Sequence, residues 1–224
     1  MNEAWVKNRL TKWSEARTSK GLSVQLQNVT DAEEFLNGFD SPYTGHFWEQ
    51  DYADSFKNIL PASVDGLYSV WNIGCGKGEE TYSAASMLRE KYPAGQIKIY
   101  ANDADLLNIS TAPNLIFAKT NVPAMYDNFI AEGRNGWHFK TEIKDLILFE
   151  YHDVLQNNQF PPVDLIIVRD VLSYLAVEEQ RKLLEIFKEK IKPGGILVVG
   201  ANEVISDEGW QSVAEGKIPA YKKI

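Results

Sequence analysis

"VWNIGCGKGEETYSAA", Val70 to Ala85, joins an apolar run to a helical pattern through Gly74, Gly76 and Gly78, with Glu79 and Glu80 directly after. A strand, a glycine turn and a helix start gather backbone N–H groups around one cavity and let a ligand approach the main chain. The dinucleotide fingerprint G-x-G-x-x-G seats a pyrophosphate at such a helix start. Here the spacing is G-x-G-x-G, and two carboxylates where a diphosphate would sit repel it. They suit a ligand with a cationic or hydroxyl-rich face. S-adenosylmethionine, with its sulfonium, ammonium and ribose, has that chemistry.

On both sides of this stretch the pattern alternates short apolar runs with amphipathic helices. "LYSVWNI" reads as a buried strand ending at Gly74, and "EETYSAASMLREKY" as a helix with Thr81, Ala84, Ala85, Leu88 and Tyr92 on one face. "QIKIYAND", "LILFEYHDV" and "VDLIIVRDV" are further strands, the last apolar on both faces as a central parallel strand is. "VEEQRKLLEIFKEKI" is a helix with acidic residues early and lysines late, matching its dipole. "KPGG" is expected to break it before a fifth strand, "ILVVGANE". The alternation predicts an α/β fold, a doubly wound, mostly parallel sheet with helices on both faces. Ligands in such sheets sit outside the carboxyl ends of the strands.

Upstream, residues 1–18 form a helical pattern and "DAEEFLNGF" a second one, followed by the loop "DSPYTGHFWEQDY". The division expected is a helical N-terminal region over residues 1–60 and a main domain over residues 61–224. The 224 residues suit one large domain with a small appendage, and 44% hydrophobic content suffices for a full core. No apolar run reaches a membrane span and no signal core opens the chain, so neither membrane insertion nor export is expected. A single cysteine, Cys75, excludes an internal disulfide and suits a reducing cytoplasm. The formal net charge of -8 argues against a nucleic-acid partner. Residues 1–20 nevertheless carry a local excess of positive charge from Lys7, Arg9, Lys12, Arg17 and Lys20. That excess is either a solvated helix face or a docking surface for an acidic partner.

Every strand end offers a candidate. Asp103, closing the second strand, accepts from ribose hydroxyls or caps the helix that follows. Asp153 is placed to accept from an adenine amino group while Val154 packs on the ring. Asp170, Val171 and Tyr174 fall beside the cofactor, with a capping role open for Asp170 and an aromatic packing role for Tyr174. His152 reads as structural, and Cys75 lacks a neighbouring histidine to make it a nucleophile.

Together these elements resemble the CheR family of bacterial chemotaxis, the receptor-modifying protein-glutamate methyltransferases. "NIGCGKGEETYSAA" resembles that family's glycine loop, "YANDAD" its ribose-binding turn, and "DLIIVRDVLSYL" its strand-four signature. "GWHFKTEIKDLILFEYHDVL", "KPGGILVVGANE" and the closing "AYKK" also fit, over roughly residues 40–224. The resemblance implies a class I, Rossmann-like methyltransferase that uses S-adenosylmethionine and releases S-adenosylhomocysteine. It implies cofactor contacts from Thr44, Gly74, Gly76, Glu79, Asp103, Asp153, Val154, Asp170 and Val171, with Tyr174 at the methyl-transfer centre. It implies a small β-subdomain between Thr111 and Lys144, and glutamates of chemoreceptor cytoplasmic helices as the protein substrate.

Three features depart from the family pattern. Trp48 stands where a Thr-x-Phe-Phe-Arg motif carries arginine, Asp153 and Asp170 replace asparagines, and the helical region ahead of the motif is short. Trp48, Asp153 and Asp170 favour an alternative, a regulatory or scaffold protein that binds the cofactor without turnover. Methylation of another protein or a small molecule is a third reading, favoured by the short N-terminal region, and of RNA a fourth.

Overall fold

The computed structural model describes residues 3–37, 41, 43–156, 159–206 and 208–224. Two helices come first, α1 (Glu3–Ser19) and α2 (Val29–Asn37). The Arg17 guanidinium meets the Asp31 carboxylate at 2.9 Å, with both residues buried. Trp13 packs edge-on against Phe35 with ring centroids 5.0 Å apart. Arg17 is thus consumed inside this pair, while Lys7, Lys12 and Lys20 stay exposed.

The sheet begins after α3 (Gln50–Ile59) with β1 (Tyr68–Ile73), and α4 (Glu79–Lys91) follows the glycine turn. Next come β2 (Ile97–Asp103) and the short α5 (Leu106–Thr111), then the hairpin β3 (Ile130–Gly133) and β4 (Gly136–Phe139). The chain returns through α6 (Thr141–Lys144), β5 (Ile147–Tyr151), β6 (Val163–Val168), α7 (Val177–Lys190) and β7 (Ile191–Val199). It closes with β8 (Trp210–Ser212) and β9 (Ala220–Lys223). Among the described residues the main sheet has seven strands in the order β5-β2-β1-β6-β7-β9-β8. The first five run parallel, and β9 and β8 add an antiparallel edge.

Strand periodicity builds two cores. In β6, Leu165 and Ile167 face one layer while Ile166 and Val168 face the other, and β7 alternates the same way. The first layer holds α3, α4 and the β3–β4 hairpin, with Phe56, Leu88 and Phe139 at its centre. The second holds Leu183 and Phe187 of α7 with Trp71 and Phe160. The doubly wound expectation holds, and the stretch between Thr111 and Lys144 contains a two-stranded hairpin, β3–β4, that packs into the first core.

Two local expectations are corrected. The glycine-proline stretch at residues 192–195 does not separate helix from strand. It lies inside β7, which pairs Ile191 with Val163 and resumes at Ile196 opposite Leu165 after a register shift. Gly195 permits this, since a β-carbon there would sit 2.8 Å from the Asp164 carbonyl oxygen. The strand also stops at Val199, and Gly200–Glu203 turns away. The second correction concerns α4, which is buried all round from Thr81 to Leu88 instead of on one face. Tyr82 explains it by stacking flat on Phe139 of the hairpin, centroids 4.4 Å apart. Among the described residues, no helix is long and apolar enough to cross a membrane.

Candidate active site

The glycine turn is fixed by the end of the neighbouring strand β2. The N–H groups of Gly74 and Cys75 both donate to the Asn102 carbonyl, at 2.8 and 3.0 Å. The Gly76 N–H donates to Asp103 Oδ2 at 2.8 Å. Gly74 has φ +69°, and a β-carbon on it would lie 2.6 Å from Val171 Cγ2, so only glycine fits. Asp103 Oδ1 accepts from the Asp105 N–H at 2.8 Å and from Asn108 Nδ2 at 3.4 Å. The cap of α5 is Asp105, whose carboxylate accepts the Leu107 N–H, so the capping role left open for Asp103 belongs two residues on.

The paired glutamates divide their work. Glu79 lines the cavity beside the turn, and its carboxylate has no hydrogen-bond partner among the described residues. Glu80 turns inward, accepting from Asn72 Nδ2 at 2.9 Å and from Arg169 Nη1 at 2.6 Å. Arg169 is flanked by two aromatic rings, its Cζ 4.9 Å from the centre of Tyr43 and 4.4 Å from that of Tyr52. Burial works against the charge on Arg169, but Glu80, Tyr52 and Asp170 together outweigh it and raise the guanidinium pKa.

At the end of β6, Asp170 takes a left-handed backbone, φ 59°. Its carboxylate Oδ2 accepts the Ser41 hydroxyl at 2.5 Å, and it packs so closely on Gly200 that a β-carbon there would meet Oδ1 at 2.1 Å. The buried Glu203 holds this loop. It accepts the N–H groups of Gly200 at 2.7 Å, Asp170 at 3.0 Å and Ser173 at 2.9 Å, and the Ser173 hydroxyl at 3.1 Å. Burial pushes the Glu203 carboxyl above the ordinary glutamate range despite those bonds.

Two cavities meet at this end of the sheet. A small one of about 70 Å³ lies against Gly74, Gly76, Glu79 and Asp170, roofed by Ser41 and the Tyr43–Gly45 segment. A larger one of about 400 Å³ opens beside it, over the ends of β6 and β7, with Trp48, Tyr52 and Lys217 in its wall. Tyr43 and Arg169 line both.

Of the residues expected at the site, Thr44, Gly74, Gly76, Glu79 and Asp170 surround the small cavity, and Val171 packs beneath Gly74. Asp103 stands at the turn's open side through Gly76. The other three are placed apart from both linings. Asp153 makes an Asx turn with the Leu155 N–H at 2.9 Å, Val154 is buried in the second core, and Tyr174 ends a 3₁₀ turn, Leu172–Tyr174. His152 packs on Phe160 edge-on, ring centroids 5.2 Å apart. Cys75 is buried, which pushes its thiol pKa far up and removes it as a nucleophile. Trp48 is only 4% exposed and lies between Tyr52 and Phe56, so no charge enters the site from that position. The reading of the sequence missed Arg169 and Glu203. Their signals were a lone cation closing the apolar run "DLIIV" and an acidic residue in "GANE". No group of acidic, histidine or cysteine side chains among the described residues is arranged to hold a metal.

A glycine turn at the first strand, an acid at the second and a loop at the fourth recur across several cofactor-binding folds, and the sequence decides among them. Residues 43–219 match the family described as CheR methyltransferase, SAM binding domain. The chain belongs to this family. Residues 1–35 match a second description, the CheW-CheR linker domain. The chain is 29% identical over 178 residues to an uncharacterized 104.1 kDa protein of Rhodobacter capsulatus, covering 73% of this chain and 19% of that one. It is 27% identical to a chemotaxis protein methyltransferase of Listeria innocua, covering 66% of this chain and 60% of that one. The chain thus spans less than two thirds of either relative. Among solved structures, TrmN from Thermus thermophilus superposes with a TM-score of 0.48 at 17% identity, over 77% of this chain and 48% of that one.

The cofactor of the family is S-adenosylmethionine, and the residues present suit it. Glu79 offers an unengaged carboxylate, and Asp103 keeps acceptor capacity beyond the bonds it already makes. The outer side of Gly76 is open, with nothing within 4 Å of a built β-carbon.

Proposed function

We propose that this chain is a cytoplasmic S-adenosylmethionine-dependent methyltransferase that esterifies glutamate carboxylates on the cytoplasmic helices of chemoreceptors. The observation that carries the reading is Arg169, a cation in the wall common to the glycine-turn cavity and the larger cavity next to it. A bound S-adenosylmethionine supplies an electrophilic methyl group. The chain's own residues then have three tasks. Glu79 and Asp103 bind polar hydrogens, Gly74 and Gly76 admit a nucleoside to the main chain, and the larger cavity receives the acceptor. A glutamate carboxylate, with a reference pKa of about 4.3, is already ionised near neutrality, so no general base is required. Catalysis rests on alignment and removal of water. Within this proposal residues 1–60 are a helical region docked through α3 on α4 that also lends Tyr43 and Tyr52 to the cavity walls, and residues 61–224 are the methyltransferase domain.

The test is transfer of labelled methyl from S-adenosylmethionine to chemoreceptor cytoplasmic fragments, with label released as methanol by mild alkali. Alkali-labile label supports a carboxyl ester, and stable label points to another acceptor atom.

One observation favours the regulatory alternative. Ser41 and Asp170 are hydrogen-bonded across the small cavity, which leaves about 70 Å³ under the Tyr43–Gly45 roof. Tight binding of S-adenosylhomocysteine without transfer to any receptor fragment supports that reading instead.

A further inference from the structure

The larger cavity, about 400 Å³, has the volume of a ligand site and lies where acceptors sit in open parallel sheets, outside the strand ends. Its charges sort by depth. At the mouth Lys217 is paired with Asp51 and the exposed Glu49 adds a further carboxylate to the lining, so the attraction for an anion has to come from Arg169 at depth. In the wall shared with the small cavity stands Arg169, with a side chain only 7% exposed. Glu80 engages Nη1 alone, and Nε and Nη2 have no hydrogen-bond partner among the described residues. A guanidinium fork with two N–H groups free matches a carboxylate, which accepts two parallel bonds. A neutral amide turns an NH₂ toward the same donors and loses one of them.

The fork is also held in place. Cation–π contacts with Tyr43 and Tyr52 and the Glu80 bond restrict the guanidinium. Such preorganisation lowers the ordering cost of each hydrogen bond formed to it. Tyr43 is 48% exposed and belongs to the roof of the small cavity, so it links that roof to the acceptor side.

We propose that Arg169 is the ligand for the acceptor carboxylate, and that Tyr43 and Tyr52 are positioning residues that hold its guanidinium in place. The inference rests on the reading that the acceptor is a carboxylate. It adds a discrimination: glutamate is taken and glutamine refused at this fork.

The experiment titrates the whole chain, saturated with S-adenosylhomocysteine, with N-acetylglutamate α-amide and with its glutamine counterpart, followed by NMR. The wild type is expected to bind the glutamate probe at least tenfold tighter. Arg169→Lys keeps the charge but loses the fork, and is expected to weaken that binding tenfold or more. Tyr43→Leu is expected to weaken it three- to tenfold and Tyr43→Phe to restore it, a rescue that a merely structural role for Tyr43 does not require. Since Tyr43 is half exposed, both variants are expected to fold even where Arg169→Lys does not. Equal binding of the two probes, no binding of the glutamate probe, or a wild-type response from Tyr43→Leu overturns the proposal. Selective carboxylate binding without methyl transfer leaves this seat standing and defeats the catalytic reading. Transfer with an acceptor KM unchanged in Arg169→Lys does the reverse.

Discussion

Asp103 Oδ2 accepts the Gly76 N–H at 2.8 Å, so the end of β2 sets the shape of the turn that follows β1. The acid at this position therefore has two partners to serve, the main chain of the turn and any hydroxyls that settle over it.

Removing it is expected to affect both. Asp103→Ala is expected to weaken S-adenosylhomocysteine binding at least tenfold, about 1.4 kcal/mol, measured by calorimetry. An unchanged affinity takes Asp103 out of the cofactor site and leaves it as a turn fastener only.

Gly74→Ala meets two obstacles, a left-handed φ and the Val171 Cγ2 atom 2.6 Å from the new carbon. The expected loss is about 1–3 kcal/mol, read from urea midpoints at constant m. Adding Val171→Ala removes the collision but not the backbone strain, so the double variant is expected to recover part of the loss. Full recovery in the double variant shows that the φ of Gly74 carries no cost.

The Glu80–Arg169 pair is largely buried, with side chains 17% and 7% exposed. Glu80→Ala strands a buried guanidinium and is expected to cost about 3–5 kcal/mol. The double change Glu80→Ala with Arg169→Ala is expected to cost clearly less than the two single losses combined, because no charge is then left unpaired. Strict additivity in a urea-unfolding cycle contradicts the pairing.

Glu203 gives a pH signature. Its folded pKa lies above the unfolded value, chiefly through burial and in part through Asp170 nearby. Its contribution to stability is therefore complete below the ordinary glutamate pKa and is lost as pH rises through the raised one. Glu203→Ala leaves three N–H groups and the Ser173 hydroxyl without their acceptor, an expected loss of about 2–4 kcal/mol. The gap between wild type and variant is expected to narrow as pH climbs from 4 upward. A gap that widens over that range reverses the assigned shift.

Much of the fold was legible because each strand announces itself twice. In "LIIV" all four residues are buried, yet Leu165 and Ile167 serve one core and Ile166 and Val168 the other. Only a sheet covered on both faces needs such a run. The turn at Gly74 and the acid at Asp103 were legible for a related reason, since both sit where strands end and ligands bind. What stayed hidden depends on contacts between distant parts of the chain. Glu80 and Arg169 are 89 positions apart, and neither spacing nor periodicity joins them. The all-round burial of α4 comes from Phe139, on a hairpin whose packing direction its own sequence does not state. The proline and double glycine after Lys192 carry the composition of a helix stop, and tertiary pairing with β6 overrode it.

The enclosure of α4 bears on how the molecule breathes. Helices with one wet face can fray or detach while the rest of a domain stays intact. From Thr81 to Leu88, however, α4 has sheet, hairpin and α3 around it, and none of those residues is exposed. Its amides are therefore expected to exchange with deuterium only through global opening, slower than those of α1 or α5. The glycine turn runs at its far end straight into that enclosed helix, while the Tyr43–Gly45 roof above it is exposed. Ligand traffic at this site is therefore expected to depend on the exposed roof and not on unfolding of the floor.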